Sequence, residues 1–510
     1  MRYNPRPSMP IADSPRMPTC SVHPLPYRAN PAEYFAVIRH APGAVLLDSG
    51  RPAAERGRYD LLSAWPQTTL TVSPDESGSD FLQRLRENLA QLGDADLPDG
   101  YALPFAGGLI GYLSYDFGRH LEQMPHLAAD DLHLPDARFG LYAWALISDH
   151  QAQASQLVFH PALADSERQR LIALFRHPVA GSTARFKLQG PMAPDLTAER
   201  YRQAIVRIQD YIQAGDCYQV NFAQRFRAPC LGDPWVAYCA LREACPTPFS
   251  GFQSLPDDGA VLSLSPERFV RISERHVETR PIKGTRPRGL TPEEDAAHAA
   301  ELLASPKDRA ENLMIVDLLR NDLGRTCRTG SVSVPELFSL ESYPNVHHLV
   351  SSVTGTLADD KDALDLIAGS FPGGSITGAP KIRAMQIIDE LEPTRVRHSS
   401  RTINNRMPKI HHPITAAAPS PSFYTSAGSP ASVCAGASVS PMGSTTSPAS
   451  FSRICPSSPI SSGSSGRSFR LDRWNARRNC LVVRYCRGRP GTCNRPHSSI
   501  SPRSSSSPTV

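Results

Sequence analysis

KDRAENLMIVDLLRNDLGR (307–325) and FPGGSITGAPKIRAMQIIDELE (371–392) are the stretches from which the fold can be read. Ahead of the first, Ser305-Pro306-Lys307-Asp308 places a capping serine, a proline at the first helical position and an acid at the third, a combination that starts helices. The pattern predicts a helix over 306–323 stopped by Gly324. Glu311, Asp317 and Asp322 lie on it. A hard cation such as Mg²⁺ suits one of these carboxylates; a solvated acidic face is the plainer reading. In the second stretch Gly373, Gly374 and Gly378 precede Pro380 at a helix start, with Ser375 and Thr377 adding hydroxyls. Free N–H groups at a helix N-terminus bind anions, and glycines let a carboxylate come close. A plain helix-entry turn is the alternative.

Three shorter segments carry further chemistry: SLSPERF (263–269), RPIKGTRPRG (280–289) and PNVHHLVSS (344–352). Glu267 and Lys283 can form an acid–nucleophile pair if the lysine is deprotonated, which needs burial or a neighbouring cation; a surface lysine is the commoner case. His347 or His348 can act as a general acid or base, or simply as a satisfied structural histidine.

Around these motifs the chain divides by composition. Residues 1–16 are rich in Pro and Arg and read as a disordered leader before Met17. Residues 17–180 and 190–395 read as two globular regions, separated by a loop-like stretch near 178–195. Strand-like runs are AVLLDSG (44–50), LIGYLSYD (109–116) and GLYAWALIS (140–148); helical ones are FLQRLRENLAQLG (81–93), AERYRQAIVRIQDYIQAG (198–215) and PKIRAMQIIDELEP (380–393). Tyr201, Ile205, Ile208 and Ile212 give one of them an apolar face. From about 396 onward Ser, Pro, Ala, Gly and Arg dominate and amphipathic patterning stops. Such a composition cannot bury a core, so 396–510 is expected to be disordered.

The net charge of +5 misleads. Residues 401–510 hold 14 Lys+Arg and one acid, Asp472, which leaves 40 basic against 48 acidic groups in the first 400 residues, or −8. The body is mildly acidic, so no nucleic-acid partner is expected. With 40% hydrophobic and 20% charged residues a core is attainable. No long apolar run or secretory signal is present, and the 11 Cys lack C-x-x-C pairing. We expect no membrane partner, reduced thiols and a cytoplasmic location.

SPERF, PIKGT, KDRAENLMIVDLLRNDLGR, NVHHLVS and PGGSITGAPK, in this order, resemble the chorismate-utilising enzymes: the large subunits of anthranilate and aminodeoxychorismate synthases, and the isochorismate and salicylate synthases. LLDSG (46–50), GGLIGYLSYD (107–116) and GDCYQVNFAQRF (215–226) extend the resemblance over about residues 20–395. It implies an α+β fold, anthranilate synthase component I-like, with large packed β-sheets flanked by helices and an incomplete C-terminal part. Lysine within PIKGT is similar to the para-aminobenzoate branch, where anthranilate synthases usually carry alanine; anthranilate synthase component I is the runner-up. Gln219 stands where isochorismate-type relatives carry a lysine base.

The resemblance implies Mg²⁺ as cofactor, held partly by Glu311, and a catalytic set of Lys283, Glu267 and His348. It places Gly374, Ser375, Thr377 and Gly378 at the substrate's carboxylates. Ammonia would come from a separate glutamine amidotransferase subunit. Ser49, Arg58, Tyr59, Pro248, Phe249 and Ser250 map onto the pocket that holds tryptophan in some relatives.

The family pattern continues beyond 393 with a [YW]-C-G segment, an I-x-I-R segment and a GGGIV-x-DS segment followed by a metal-binding Glu; none is readable in this chain. Each lost charged contact weakens a site by about 1.5–3 kcal/mol, so impaired turnover is expected, or a homologue that only binds a glutaminase subunit. A frameshift would account for the Ser/Pro/Ala/Arg bias; a natural disordered tail is the alternative. Pro413-Ile414-Thr415-Ala416-Ala417-Ala418 permits codons that read His-Tyr-Cys-Gly-Ser one frame over. The coding nucleotide sequence is expected to show the three motifs in a shifted frame; their absence from all frames would sink the idea.

Overall fold

The computed structural model describes residues 17–53, 57–176, 185–256 and 258–395, and the backbone of three short strands at 401–404, 413–417 and 479–483. The expected leader 1–16 and most of 396–510 lie outside the described residues. Two antiparallel sheets form the centre. The eight-stranded sheet runs in the order Ser21–Leu25, Ala154–Phe159, Trp144–Asp149, Tyr59–Ser63, Val45–Asp48, Phe249–Ser254, Ala260–Ser265, Asn479–Val483. The ten-stranded sheet runs Ile282–Pro287, Val346–Thr356, His276–Thr279, Arg268–Ser273, Pro413–Ala417, Arg401–Asn404, Gly108–Leu113, Ala137–Tyr142, Thr68–Thr71, with Ser333–Ser342 also paired to Val346–Thr356. Strands from both expected regions, 17–180 and 190–395, share each sheet.

Alternation along the strands shows how the layers stack. Leu46 faces the core made with Phe35, Phe175, Trp235 and Tyr238 of the helices Ala32–Ile38, Asp165–Arg176 and Pro234–Ala244. Its neighbour Val45 faces the other way, into a cluster with Ile110 and Tyr142 of the second sheet. On that sheet Leu109 and Leu113 pack outward on helix Gly78–Leu92, and Ile272 and Val353 pack on Ile315 and Leu319 of helix Pro306–Gly324. The result is sheet on sheet, with helices outside.

The helices stand where their caps and periodicity place them. Ser77, Thr197 and Ser305 each accept a backbone N–H at the start of Gly78–Leu92, Ala198–Gln213 and Pro306–Gly324. Three details differ from the sequence reading. Gly324 is the last helical residue, and Arg325 caps the end. LIGYLSYD is a strand only to Leu113, after which Tyr115–Phe117 forms a 3₁₀ turn. GLYAWALIS is two strands, Ala137–Tyr142 and Trp144–Asp149, in different sheets, because the chain changes sheet at Ala143. A continuous apolar run cannot reveal that break, since every residue in it is buried. Among the described residues no helix is long and apolar enough to cross a membrane.

Phe117 ties the second sheet to its outer helices. It is fully buried and packs edge-on to Phe81 at 5.7 Å and Phe371 at 5.8 Å. Phe117→Ala is expected to destabilise the fold by about 3–5 kcal/mol in urea titrations; a loss near zero would show that this cluster does not hold the layer.

Candidate active site

Glu267 occupies a second change of sheet, between Ala260–Ser265 and Arg268–Ser273. The Ser265 hydroxyl braces this corner, accepting from Glu267 N at 3.2 Å and donating to Glu267 O at 3.1 Å. The buried Glu267 carboxylate accepts Ile282 N–H at 3.4 Å. Lys283 comes next. The pairing of Ile282–Pro287 with Val346–Thr356 shifts register between Ile282 and Thr285, and Gly284 takes φ +84° there, a conformation that favours glycine. Such a bulge re-aims a side chain. Lys283 turns inward, is 5% exposed, and its Nζ donates to Ser375 O at 3.1 Å.

Across the strand pair, His348 Nδ1 lies 2.9 Å from Thr285 Oγ1, with Tyr343 edge-on at 5.5 Å. His347 points the other way, as strand alternation requires. Its Nε2 is 2.9 Å from Asp295 Oδ1 and its Nδ1 2.8 Å from Ser342 Oγ. The two histidines are therefore separated: His348 meets Thr285 of the strand that carries Lys283, and His347 is a structural ligand of Asp295.

The loop 371–380 forms the facing wall. Gly374–Ile376 is a 3₁₀ turn, and the buried Thr377 hydroxyl donates back to Gly373 O at 3.2 Å and Gly374 O at 3.3 Å. Gly378 pairs with Val220. A Cβ there would stand 2.1 Å from Gln219 O, so only glycine permits this approach. Ser375 presents its carbonyl to Lys283.

Of the four carboxylates on helix Pro306–Gly324, Asp308, Glu311, Asp317 and Asp322, only Glu311 and Asp322 are buried. Glu311 is 7% exposed, with Lys307 Nζ at 3.7 Å. Asp317 is solvated and pairs with Arg320. Asp322 is buried against Lys381, with Nζ at 2.7 Å. Burial pushes the Asp322 carboxyl up and the Lys381 ammonium down, and each charge opposes the other's shift. Asn312, missed in the sequence, pins this helix to the His348 strand: its Nδ2 donates to Leu349 O at 3.3 Å, and Ser351 Oγ donates to its Oδ1 at 2.5 Å. Asn312 and Lys381 sit inside the quoted motifs, so the signal was a polar residue at a core position of an otherwise apolar pattern.

Among the described residues no group of three or more His, Cys, Asp or Glu is placed to hold a metal. Mg²⁺ commonly takes one or two carboxylates and fills its shell with water and substrate oxygens. The buried Glu311 fits as one donor of a site that the substrate completes.

The residues expected around a tryptophan pocket gather on the first sheet. Asp48, next to Ser49, pairs with Ser250 across the strands. Ser49 N and Oγ both donate to Asp60 Oδ1 at 2.7 Å, and Ser250 Oγ lies 2.7 Å from Thr247 Oγ1. Arg58 pairs with Asp149 at 2.8 Å and Tyr59 donates to Ala102 O at 3.3 Å. Pro248 is buried beside Phe249, whose ring lies 5.9 Å from the Arg268 guanidinium.

Asp295 anchors the His347 side of this strand pair. Arg288 grips its carboxylate at 2.7 and 2.8 Å, and Gly289 N–H and His347 add to that. These contacts, Arg288 first, hold it well below the usual carboxylate range. A depressed carboxyl stabilises the fold above its unfolded value of about 3.9. That contribution disappears as the pH falls through the folded value. Thermal midpoints of the parent chain are therefore expected to drop below about pH 4, and Asp295→Asn to flatten this acid limb; identical limbs would contradict the assignment.

Residues 43–398 match the family model for chorismate binding enzymes. The chain is 48% identical over 384 residues to aminodeoxychorismate synthase component 1 of Salmonella typhimurium, covering 73% of this chain and 83% of that protein. The same enzyme of Escherichia coli is 46% identical over 383 residues, with the same coverage. Anthranilate synthase component 1 of Mycolicibacterium smegmatis is 37% identical over 397 residues, covering 71% of this chain and 75% of the relative. Among solved structures, anthranilate synthase component I of Streptococcus pneumoniae superposes with a TM-score of 0.59 at 27% identity, over 71% of this chain and 83% of the other. The menaquinone-specific isochorismate synthase of Escherichia coli shares the fold, with a TM-score of 0.58 at 15% identity over 79% of this chain and 85% of that one.

Proposed function

The chain belongs to the chorismate-binding enzyme family, and from that premise we propose that it aminates chorismate to 4-amino-4-deoxychorismate, the precursor of para-aminobenzoate in folate synthesis. The observation that carries this reading is the buried Lys283, turned inward by the bulge at Gly284 toward the Ser375 carbonyl and one residue past the amide that binds Glu267. Identity supports the same branch, at 46–48% to aminodeoxychorismate synthases against 37% to an anthranilate synthase.

In this mechanism the neutral Lys283 amine bonds to C2 of the ring. Both ring double bonds shift by one position and the C4–O bond breaks. Glu267 delivers the proton with which the hydroxyl leaves as water. Ammonia then bonds to C4, both double bonds return to their places and the C2–N bond to Lys283 breaks. The proton lost from the new ammonium group restores Glu267. Dividing one hard substitution into two steps is the advantage of a covalent nucleophile. His348 lines the wall beside Thr285 and supports proton transfer there. Gly374, Ser375, Thr377 and Gly378 form the wall against which the carboxylates lie. Glu311 would hold Mg²⁺ with the ring carboxylate; when bound, the ion would withdraw electron density from the ring. Ammonia comes from a glutamine amidotransferase subunit in the cytoplasm, and neither nucleic acid nor membrane takes part.

The test is turnover of chorismate with Mg²⁺ and ammonium salt, with products separated by chromatography. The expected product is 4-amino-4-deoxychorismate, formed more slowly than by the chain with the family's C-terminal motifs restored. Lys283→Ala abolishes it in both proteins, and Glu267→Gln lowers turnover by about 10²–10⁴-fold. Anthranilate as the product, or unchanged turnover in Lys283→Ala, refutes the reading.

A further inference from the structure

Lys381 is the first residue of helix Lys381–Leu391, where the helix dipole disfavours a cation. It is nonetheless largely buried, 13% exposed at the side chain, against an Asp322 that is 1% exposed. Its Nζ donates to Asp322 Oδ2 at 2.7 Å and to Ser370 O at 3.0 Å. Ser370 closes helix Ala363–Ser370, so loop 371–380 begins directly after one contact of this ammonium and ends at the lysine itself. One side chain thus joins both ends of the loop to helix Pro306–Gly324.

That helix also meets the loop at its middle. At about 100° per residue, Glu311, Leu318 and Asp322 fall within about 40° of one another on one face. A Cβ on Gly374 would stand 2.6 Å from Leu318 Cδ2. The neighbouring Ser375 supplies the carbonyl that binds Lys283. Buried ion pairs are often no more stabilising than apolar replacements, which leaves geometry as the reason to keep this one.

We propose that Asp322 and Lys381 form a clasp that sets the shape of loop 371–380 and, through Ser375, the position of the Lys283 amine. They are positioning residues and touch no substrate. The consequence for turnover rests on the proposed function; the clasp itself does not.

The experiment compares the full chain with Lys381→Met, Asp322→Asn, Lys381→Arg and the double variant Asp322→Leu/Lys381→Met. It reads hydrogen exchange of loop 371–380, the thermal midpoint, and kcat and KM for chorismate. In Lys381→Met and in the milder Asp322→Asn, loop amides are expected to exchange about tenfold faster while helix Pro306–Gly324 keeps its protection. kcat is expected to fall about 10²-fold with KM nearly unchanged. Lys381→Arg restores both readings. The double variant regains the midpoint but neither loop protection nor kcat. Unchanged loop exchange overturns the clasp. Faster exchange with unchanged kcat, or a double variant that regains kcat with its midpoint, overturns the positioning role. If neither the parent chain nor the chain with the C-terminal motifs restored turns over chorismate, the functional reading fails, and loop exchange alone decides the clasp.

Discussion

At Pro266–Glu267 the backbone leaves one sheet and enters the other. Stacked sheets lie about 10 Å apart, so this corner must turn sharply through the interior. Ser265 satisfies the backbone there, and the Glu267 side chain is delivered into the interior with it. The rest of the site is placed relative to this corner. The next strands bring Ile282 N–H to the carboxylate, the bulge at Gly284 turns Lys283 inward, and the long strand Val346–Thr356 adds His348. The helix that covers this half carries Glu311 and, through Asn312, is locked to the same strand. Glu267 and the Ile282 amide, fifteen residues apart in sequence, thus become hydrogen-bonded neighbours.

Much of this is legible in the residues because the local signals agree with the global arrangement. Capping serines and threonines mark the helix starts at 78, 198 and 306. Glycine appears at 284 and 378 because the backbone at those points tolerates nothing larger. Other features are invisible for physical reasons. A uniformly buried run such as 140–148 has no period to betray its break at Ala143. The separate fates of His347 and His348 follow from which strand face each occupies, and that depends on register. Of four acids on one helix, Asp317 stays in water while Asp322 meets a lysine on a distant segment. No spacing rule predicts such a partner.

Charge is handled differently in the two halves of the interior. On the first sheet, Asp48 is enclosed with Arg242 and Tyr238, while Asp60 binds Ser49 and His150. Burial raises the Asp48 carboxyl, its neighbour Asp60 raises it further, and Arg242 opposes both. Such networks favour one arrangement of their strands, because half-satisfied alternatives leave a desolvated charge. On the second sheet Lys283 donates to Ser375 O of the facing loop, and Asn312 of the covering helix donates to Leu349 O.

The ten-stranded sheet has a further property with a temporal consequence. Gly108–Leu113 and Arg268–Ser273 are not bonded to each other; Arg401–Asn404 and Pro413–Ala417 lie between them. On a ribosome, both flanking strands emerge long before the segment that joins them. Each must wait with an open hydrogen-bonding edge, the kind of surface that recruits other chains. The sheet is closed by its latest-made strands, so the nascent protein is open to self-association until residues 401–417 have emerged.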